Sequence, residues 1–170
     1  MAAKTGTYTL INSNTLGSAT ASVTFSSIPA TYTDLVLVVD YSLNVSNSSL
    51  FVRLNGDTGS NYSNTRISGT GSVASSGRGS NADQARITAD TTAQSSSTRQ
   101  LVTLNFMDYS NSTTYKTFLT RYNSTGGTEA FVDLWRSTAA ITSVQIKGYD
   151  GTAIIESAST FKLYGIEAAK

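Results

Sequence analysis

DLVLVVDYSLNVSNSSLFVRLNGDTGSNYS, residues 34–63, contains the longest apolar run of the chain, Leu35-Val36-Leu37-Val38-Val39. Leu35, Leu37, Val39 and Tyr41 share one face of an extended segment, and Val36 and Val38 are apolar on the other. A strand apolar on both faces is central in its sheet or covered by a neighbouring element. β-Branched residues dominate the run and no capping box precedes it, so a helix is disfavoured. Leu50 to Leu54 repeats the pattern, with Leu50, Val52 and Leu54 against Phe51 and Arg53. Asn55-Gly56-Asp57 then reads as a turn. The stretch predicts two central strands of an all-β fold.

The rest of the chain extends this reading. Thr5 to Ile11 is a predicted strand, with Asn12-Ser13-Asn14 as its turn. Thr20 to Phe25 alternates strictly, placing Ala21, Val23 and Phe25 on one face. Pro29, the single proline, falls in a connection, where its missing N–H disrupts no ladder. Further strands are predicted at Leu101 to Asp108, Tyr115 to Tyr122, Ile141 to Lys147 and Thr160 to Ile166. Gly126-Gly127 and Tyr149-Asp150-Gly151 mark turns. Glu129 to Arg136 admits strand or short helix, and the alternation of Ala130, Val132 and Leu134 with Phe131, Asp133 and Trp135 favours strand. Residues 68–100 differ in kind: Gly, Ser, Thr and Ala predominate, and only Gln84 to Thr88 offers a short strand. That segment reads as a surface excursion, or as an arm that orders against a partner. The expectation is one domain, 1–170: an antiparallel two-sheet β-sandwich of jelly-roll type, with about ten strands and no substantial helix.

Composition narrows the functional classes. Ser and Thr make up roughly three residues in ten, while charged residues are 14% and the formal charge is +1. Such a surface is solvated by hydroxyls and amides more than by charge. The chain has no Cys and no His, so it lacks thiolate ligands, disulfides and the commonest general base. No Lys/Arg cluster supports nucleic-acid binding, and no apolar stretch is long enough for a membrane-spanning helix. MAAKTGTYTL at the N-terminus has no apolar core of signal-peptide type, which predicts synthesis and assembly inside a cell.

No catalytic constellation emerges. There is no G-x-S-x-G elbow and no S-x-x-K motif. Glu129 with Asp133, or Asp108 with Glu156, would serve as a glycosidase pair only if held roughly 5–9 Å apart. Asp57, within NGDTGSN, has oxygen-bearing neighbours like a Ca²⁺ loop but lacks the spaced carboxylates of an EF-hand, so a turn is the better reading. The five N-x-[S/T] sequons, at Asn44, Asn47, Asn61, Asn111 and Asn123, are uninformative in a chain this rich in Ser, Thr and Asn. Tyr109, Tyr115 and Trp135 are candidates for a sugar platform, weighed against core or interface anchoring of Trp135. No catalytic, cofactor-binding or metal-ligating residue is assigned.

VTFSSIPATYTDLVLVVDYS (23–42), VRLNGDTGSNYS (52–63) and STFKLYGI (159–166) resemble segments of a loose family of tailed-bacteriophage virion proteins. The resemblance covers the N-terminal third and the closing residues, and leaves 68–100 uncovered. It implies a β-sandwich virion component located in the capsid surface or the tail, made in the host cytoplasm. The leading expectation is a decoration or cement protein that binds the major capsid protein, self-associating as a trimer or another symmetric oligomer. The alternative is a tail-fibre or receptor-binding module that recognises a host-surface carbohydrate. Neither implies a cofactor or an enzymatic activity.

Overall fold

The structure, a computed structural model, describes residues 7–88, 98–149 and 152–167. Twelve strands are present among them and no helical element. In order they are β1 (Tyr8–Thr15), β2 (Ser22–Phe25), β3 (Asp34–Tyr41), β4 (Leu50–Leu54), β5 (Tyr62–Gly69) and β6 (Ala74–Ala82). Then follow β7 (Ala85–Arg86), β8 (Gln100–Phe106), β9 (Lys116–Ser124), β10 (Gly127–Trp135), β11 (Val144–Gly148) and β12 (Thr160–Ile166). They form an eight-stranded sheet, β1-β12-β3-β8-β9-β10-β5-β6, and a four-stranded sheet, β2-β11-β4-β7, with antiparallel pairing throughout.

The pairing is nested. β1 pairs with β12, β2 with β11, β3 with β8 and β4 with β7. A long antiparallel ribbon with these partners, wrapped so that β12 also meets β3 and β11 meets β4, is a jelly roll. Two hairpins are spliced into it: β5–β6 between β4 and β7, and β9–β10 between β8 and β11. Both join the margin of the larger sheet, making it twice as wide as its partner.

The core lies between the sheets. Leu35, Leu37, Val39 and Tyr41 of β3, with Val102, Leu104 and Phe106 of β8, face Leu50, Val52 and Leu54 of β4 and Val144 and Ile146 of β11, all buried. Each such aliphatic or aromatic side chain contributes about 1.5–3 kcal/mol by leaving water. Gly165 of β12 is glycine for a steric reason: a Cβ there would lie 2.2 Å from Cγ of Tyr32. The tyrosine ring crosses the backbone at that point, as only glycine permits.

The structure refines one reading of the sequence and corrects two. The strand count is twelve among the described residues, where about ten were expected. Asn12-Ser13-Asn14 continues β1 across an irregularity between Leu10 and Asn12, so it is a bulged strand and no turn. The segment from Ser68 also contains a nine-residue strand, β6, that apolar alternation could not reveal, because Ala74–Ala82 has no side chain to alternate except small and polar ones. Residues 89–97 of that segment, and Asp150 and Gly151 of the predicted turn, lie outside the described residues. The Glu129–Arg136 segment is strand through Trp135, as the alternation favoured.

The Asn-Gly turn is as predicted, and its setting is unusual. Asp57 N donates to the Leu54 carbonyl at 2.9 Å, and Asn55 and Gly56 have φ of 51° and 68°, the left-handed pair an Asn-Gly turn supplies. Yet the strands it joins, β4 and β5, lie in different sheets. The turn carries the chain from one sheet to the other. The Tyr62 hydroxyl accepts from Leu54 N at 2.9 Å and lies 3.3 Å from the Leu54 carbonyl, and its ring stacks on Trp135 at 6.4 Å. Burial is the main reason its phenol pKa rises to about 12, so it stays a neutral donor–acceptor. Tyr62→Phe leaves the buried Leu54 N–H unpaired, and a loss of about 1–3 kcal/mol in urea unfolding is expected. An unchanged midpoint would show that this hydroxyl does not hold the crossing.

Candidate binding surfaces

The predicted site residues are dispersed. Tyr109 is buried, and its hydroxyl donates to the Pro29 carbonyl and accepts from Tyr32 N at 3.4 Å. It clips the β2–β3 connection to the β8–β9 loop. Trp135 is 2% exposed and donates through Nε1 to Asp57 Oδ2 at 2.7 Å. Only Tyr115 is exposed, at 55%. The three aromatics form no platform; two of them anchor the core, the reading set against the sugar site for Trp135.

The carboxylate pairs fare likewise. Glu129 and Asp133 both point inward from β10, four residues apart on one strand, a span of roughly 13 Å and too long for glycoside hydrolysis. Asp108 and Glu156 sit at opposite ends of β3: Asp108 N donates to Asp34 Oδ1, and Glu156 N donates to the Ser42 carbonyl. No group of three potential metal-ligating side chains occurs among the described residues. Asp57 Oδ1 accepts from Gly59 N at 2.8 Å and Oδ2 accepts from Asn61 Nδ2 at 2.9 Å. Partial burial works against its charge, but these bonds and that from Trp135 outweigh it and hold the carboxyl below its ordinary range. Three of the sequon asparagines also serve the fold through their side chains: Asn44 accepts from Ile154 N, Asn61 donates to Asp57, and Asn111 accepts from Thr113 N.

Two features fit a role in binding. The first is the outer face of the eight-stranded sheet, which no element covers among the described residues. Register aligns one transverse row from Leu10 through Tyr164, Val36, Asn105, Leu119 and Val132 to Thr65. A second row carries Val38, Thr103, Arg121, Ala130 and Ile67. Leu10, Leu101, Val132 and Ile67 are each more than half exposed, at 52%, 54%, 53% and 64%. The second is a cleft under the β5–β6 hairpin, lined by Asn64, Arg66, Arg86 and Phe51 among others. Sequence reasoning missed it because its residues come from distant segments.

Asp133 is a third oddity. It faces inward between Phe118 of β9 and Asn64 of β5, fully enclosed, and neither carboxyl oxygen has a hydrogen-bond partner; nor has the Thr120 hydroxyl. Burial pushes its pKa well above the carboxylate range, and the nearby Thr120 and Asn64 side chains offset this only in part. The shift favours the neutral acid, and the side chain is sealed from solvent.

No protein-family model and no curated protein matches the chain. Among solved structures, the chain is similar to a protein of unknown function from Shewanella oneidensis MR-1, at 16% identity, 98% coverage of this chain and 78% of the other, with a TM-score of 0.30. A likeness that slight carries no argument.

The state of Asp133 has a measurable consequence. Its folded pKa lies above the unfolded value of about 3.9, so between the two values unfolding releases a proton, and stability falls as pH rises through that window. Asp133→Asn, which cannot ionise, is expected to gain stability relative to the parent as pH rises through that window. That gain should shrink toward zero as pH falls to about 4. Thermal unfolding of both proteins across pH tests this; a difference between them that does not grow with pH would contradict it.

Proposed function

We propose that the chain is a virion structural protein of the decoration type, which binds the outer surface of a capsid shell and stabilises it. The observation that carries this is the uncovered outer face of the eight-stranded sheet, where exposed Leu101, Ile67 and Val132 sit among Thr and Ser. Contiguous exposed apolar surface rimmed by polar residues marks interaction sites. The jelly-roll topology and the resemblance of 23–42, 52–63 and 159–166 to phage virion proteins point the same way. The partner is the major capsid protein, and the protein acts as a symmetric oligomer, a trimer in the simplest case. Its effect is mass action: a molecule that binds only the assembled state stabilises that state.

The alternative, a tail-fibre module that recognises host carbohydrate, loses its first support because Tyr109 and Trp135 are buried. Copy number separates the two. Quantitative mass spectrometry of purified particles is expected to find the chain in fixed ratio to the shell subunit. A ratio matching the tail proteins would overturn the decoration reading. Ile67→Lys with Val132→Lys should abolish binding of purified protein to undecorated shells while leaving its melting temperature within a few degrees, since both side chains are exposed surface positions.

A further inference from the structure

The edge of a β-sheet exposes unpaired backbone N–H and C=O groups, and folded proteins blunt such edges by shortness, charge, proline or a bulge. Four edge strands are present among the described residues: β1 and β6 in the larger sheet, β2 and β7 in the smaller. β2 has four residues and β7 two, too short to template another chain. β1 is broken by the irregularity between Leu10 and Asn12, and a bulge of that kind twists an edge away from a neighbour. β6 is different. It runs for nine residues, and its pairing with β5 is unbroken from Asn64 with Gly79 to Gly69 with Ala74. Among the described residues no strand pairs with its other side. β7 packs against β10 and β5, which leaves β6 at the free margin of the two sheets.

The side chains of β6 also leave its edge open. ASSGRGSNA contains no proline, lysine or carboxylate, and Arg78 is its single charge. On the inward side, Arg66 and Asn64 of β5 lie across the β6 backbone. A Cβ on Gly77 would lie 2.8 Å from Arg66 Nε, and one on Gly79 would lie 3.2 Å from Asn64 Oδ1. Glycine within a strand often marks such close approach. On the outer side Ser76 and Arg78 are exposed. A strand of Ala, Ser and Gly packs little against its neighbours, so backbone hydrogen bonds supply most of its cohesion, and it makes them on one side only. β6 also lies within residues 68–100, whose composition admits an arm that orders against a partner.

We propose that β6 is a self-association edge: two copies of the chain pair β6 with β6, antiparallel, about a two-fold axis normal to the sheet, and join their eight-stranded sheets into one. A two-fold contact uses the same patch on both subunits. Among the described residues β6 is the only edge with no device against pairing, so the strand best able to accept it is another β6. Charge fixes the register. With the axis at Gly77, Arg78 lies opposite Ser76 of the other copy, and the flanking pairs, Ser75 with Gly79 and Ala74 with Ser80, carry only small side chains. With the axis at Arg78, the two guanidinium groups would oppose each other directly, and like charges so placed repel. The assembly also closes. The edges left over in both copies are short or bulged, so association stops at two and does not run on into a fibre. The contact depends on β6 and not on the decoration reading, whose outer sheet face it leaves open. Where both hold, the bound oligomer is a dimer in place of a trimer.

Sedimentation velocity of the full chain over a concentration series tests the proposal. The 17.9 kDa monomer is expected to pass to a species of twice that mass, with a dimer Kd below ~500 µM. Ser76→Lys, which sets a cation opposite Arg78 of the other copy, should weaken the dimer about tenfold. Ser76→Glu, which sets an anion there, should tighten it about threefold. Ser76 is exposed, and unchanged melting temperatures would confirm that both variants fold. Hydrogen exchange locates the contact: the amides of β6 should gain protection as concentration rises, and those of β1 should not. The proposal is overturned if the chain stays monomeric throughout that range, or if it dimerises with no added protection in β6. It is equally overturned if Val132→Lys, on the outer sheet face, abolishes the dimer while Ser76→Lys leaves it intact.

Discussion

The fold depends on how the chain passes from the four-stranded sheet to the eight-stranded one between Leu54 and Tyr62. Two packed sheets attract each other without direction, so apolar burial alone does not fix how one lies on the other. Directional bonds at this crossing do. The Tyr62 hydroxyl, at the start of β5, is bonded to the backbone of Leu54 at the end of β4. Asp57, in the turn between them, receives Trp135 Nε1 from the end of β10. Asn55 reaches the connection after β10, donating through Nδ2 to the Ala140 carbonyl at 2.8 Å and accepting at Oδ1 from Thr142 N and Ser143 N. One short turn thereby ties together β4, β5, β10 and the entry to β11. Both spliced hairpins are anchored there. Because Asp57 must be ionised to accept so fully, the tie is present above the unfolded carboxylate pKa of about 3.9 and is lost as pH falls through the lower folded value.

The same anchoring explains where the core rules are broken. The jelly roll itself is largely apolar on its inward faces, and its buried Gln100 is satisfied by the Tyr41 and Tyr122 hydroxyls, which donate to its Oε1. The added strands β9, β10, β5 and β6 extend beyond the width of the opposite sheet, and their inward positions hold Lys116, Asp133, Asn64 and Arg66. Lys116 meets its requirement by donating to the Thr114 and Thr138 carbonyls at 2.8 and 3.2 Å. Asp133 does not: neither carboxyl oxygen has a partner, and burial raises its pKa, favouring the neutral form. Local conflicts of this kind reduce stability and are expected to coincide with function or strain. Among the described residues the buried side-chain atoms left without a partner, on Thr120 and Asp133, lie in the added strands β9 and β10.

How much of this was legible follows the same division. β3 is unmistakable because Leu35, Leu37, Val39 and Tyr41 alternate with Val36 and Val38, and it lies between β12 and β8 as that double-sided pattern demands. β12 begins and ends where TFKLYGI does. Jelly-roll wrapping is also consistent with short strands broken by turns. The extension is different. β6 has nothing larger than serine apart from Arg78 and Asn81, so a period of two has no contrast to show. In β10 the more apolar set, Ala130, Val132 and Leu134, faces outward, while Glu129 and Asp133 share the inward face with Phe131 and Trp135. Sequence parity alone would invert that face. The cleft under the β5–β6 hairpin was hidden for a further reason, since residues near 50, 65 and 80 meet only through the crossing of sheets. A usable signal existed in Asn64 and Arg66 sharing the parity of buried Tyr62, two polar residues where a core strand should carry apolar ones.

The character of the outer face bears on how it could bind a large partner. Ordering long charged side chains costs up to ~2 kcal/mol each, whereas short β-branched ones lose much less on contact. Across the eight strands this face presents chiefly Thr, Val, Ile, Leu and Ala, with Arg78, Arg121 and Lys162 as scattered cations. The strands already hold these side chains in a flat array, so little freedom remains to be lost when a second surface arrives. Association is limited by such ordering costs as much as by area. In the decoration reading, a pre-ordered sheet face would therefore convert a modest apolar area into useful affinity. The low charge of the chain, 14% of residues, follows the same logic: Ser and Thr keep the free face hydrated through groups that give up little entropy when it is covered.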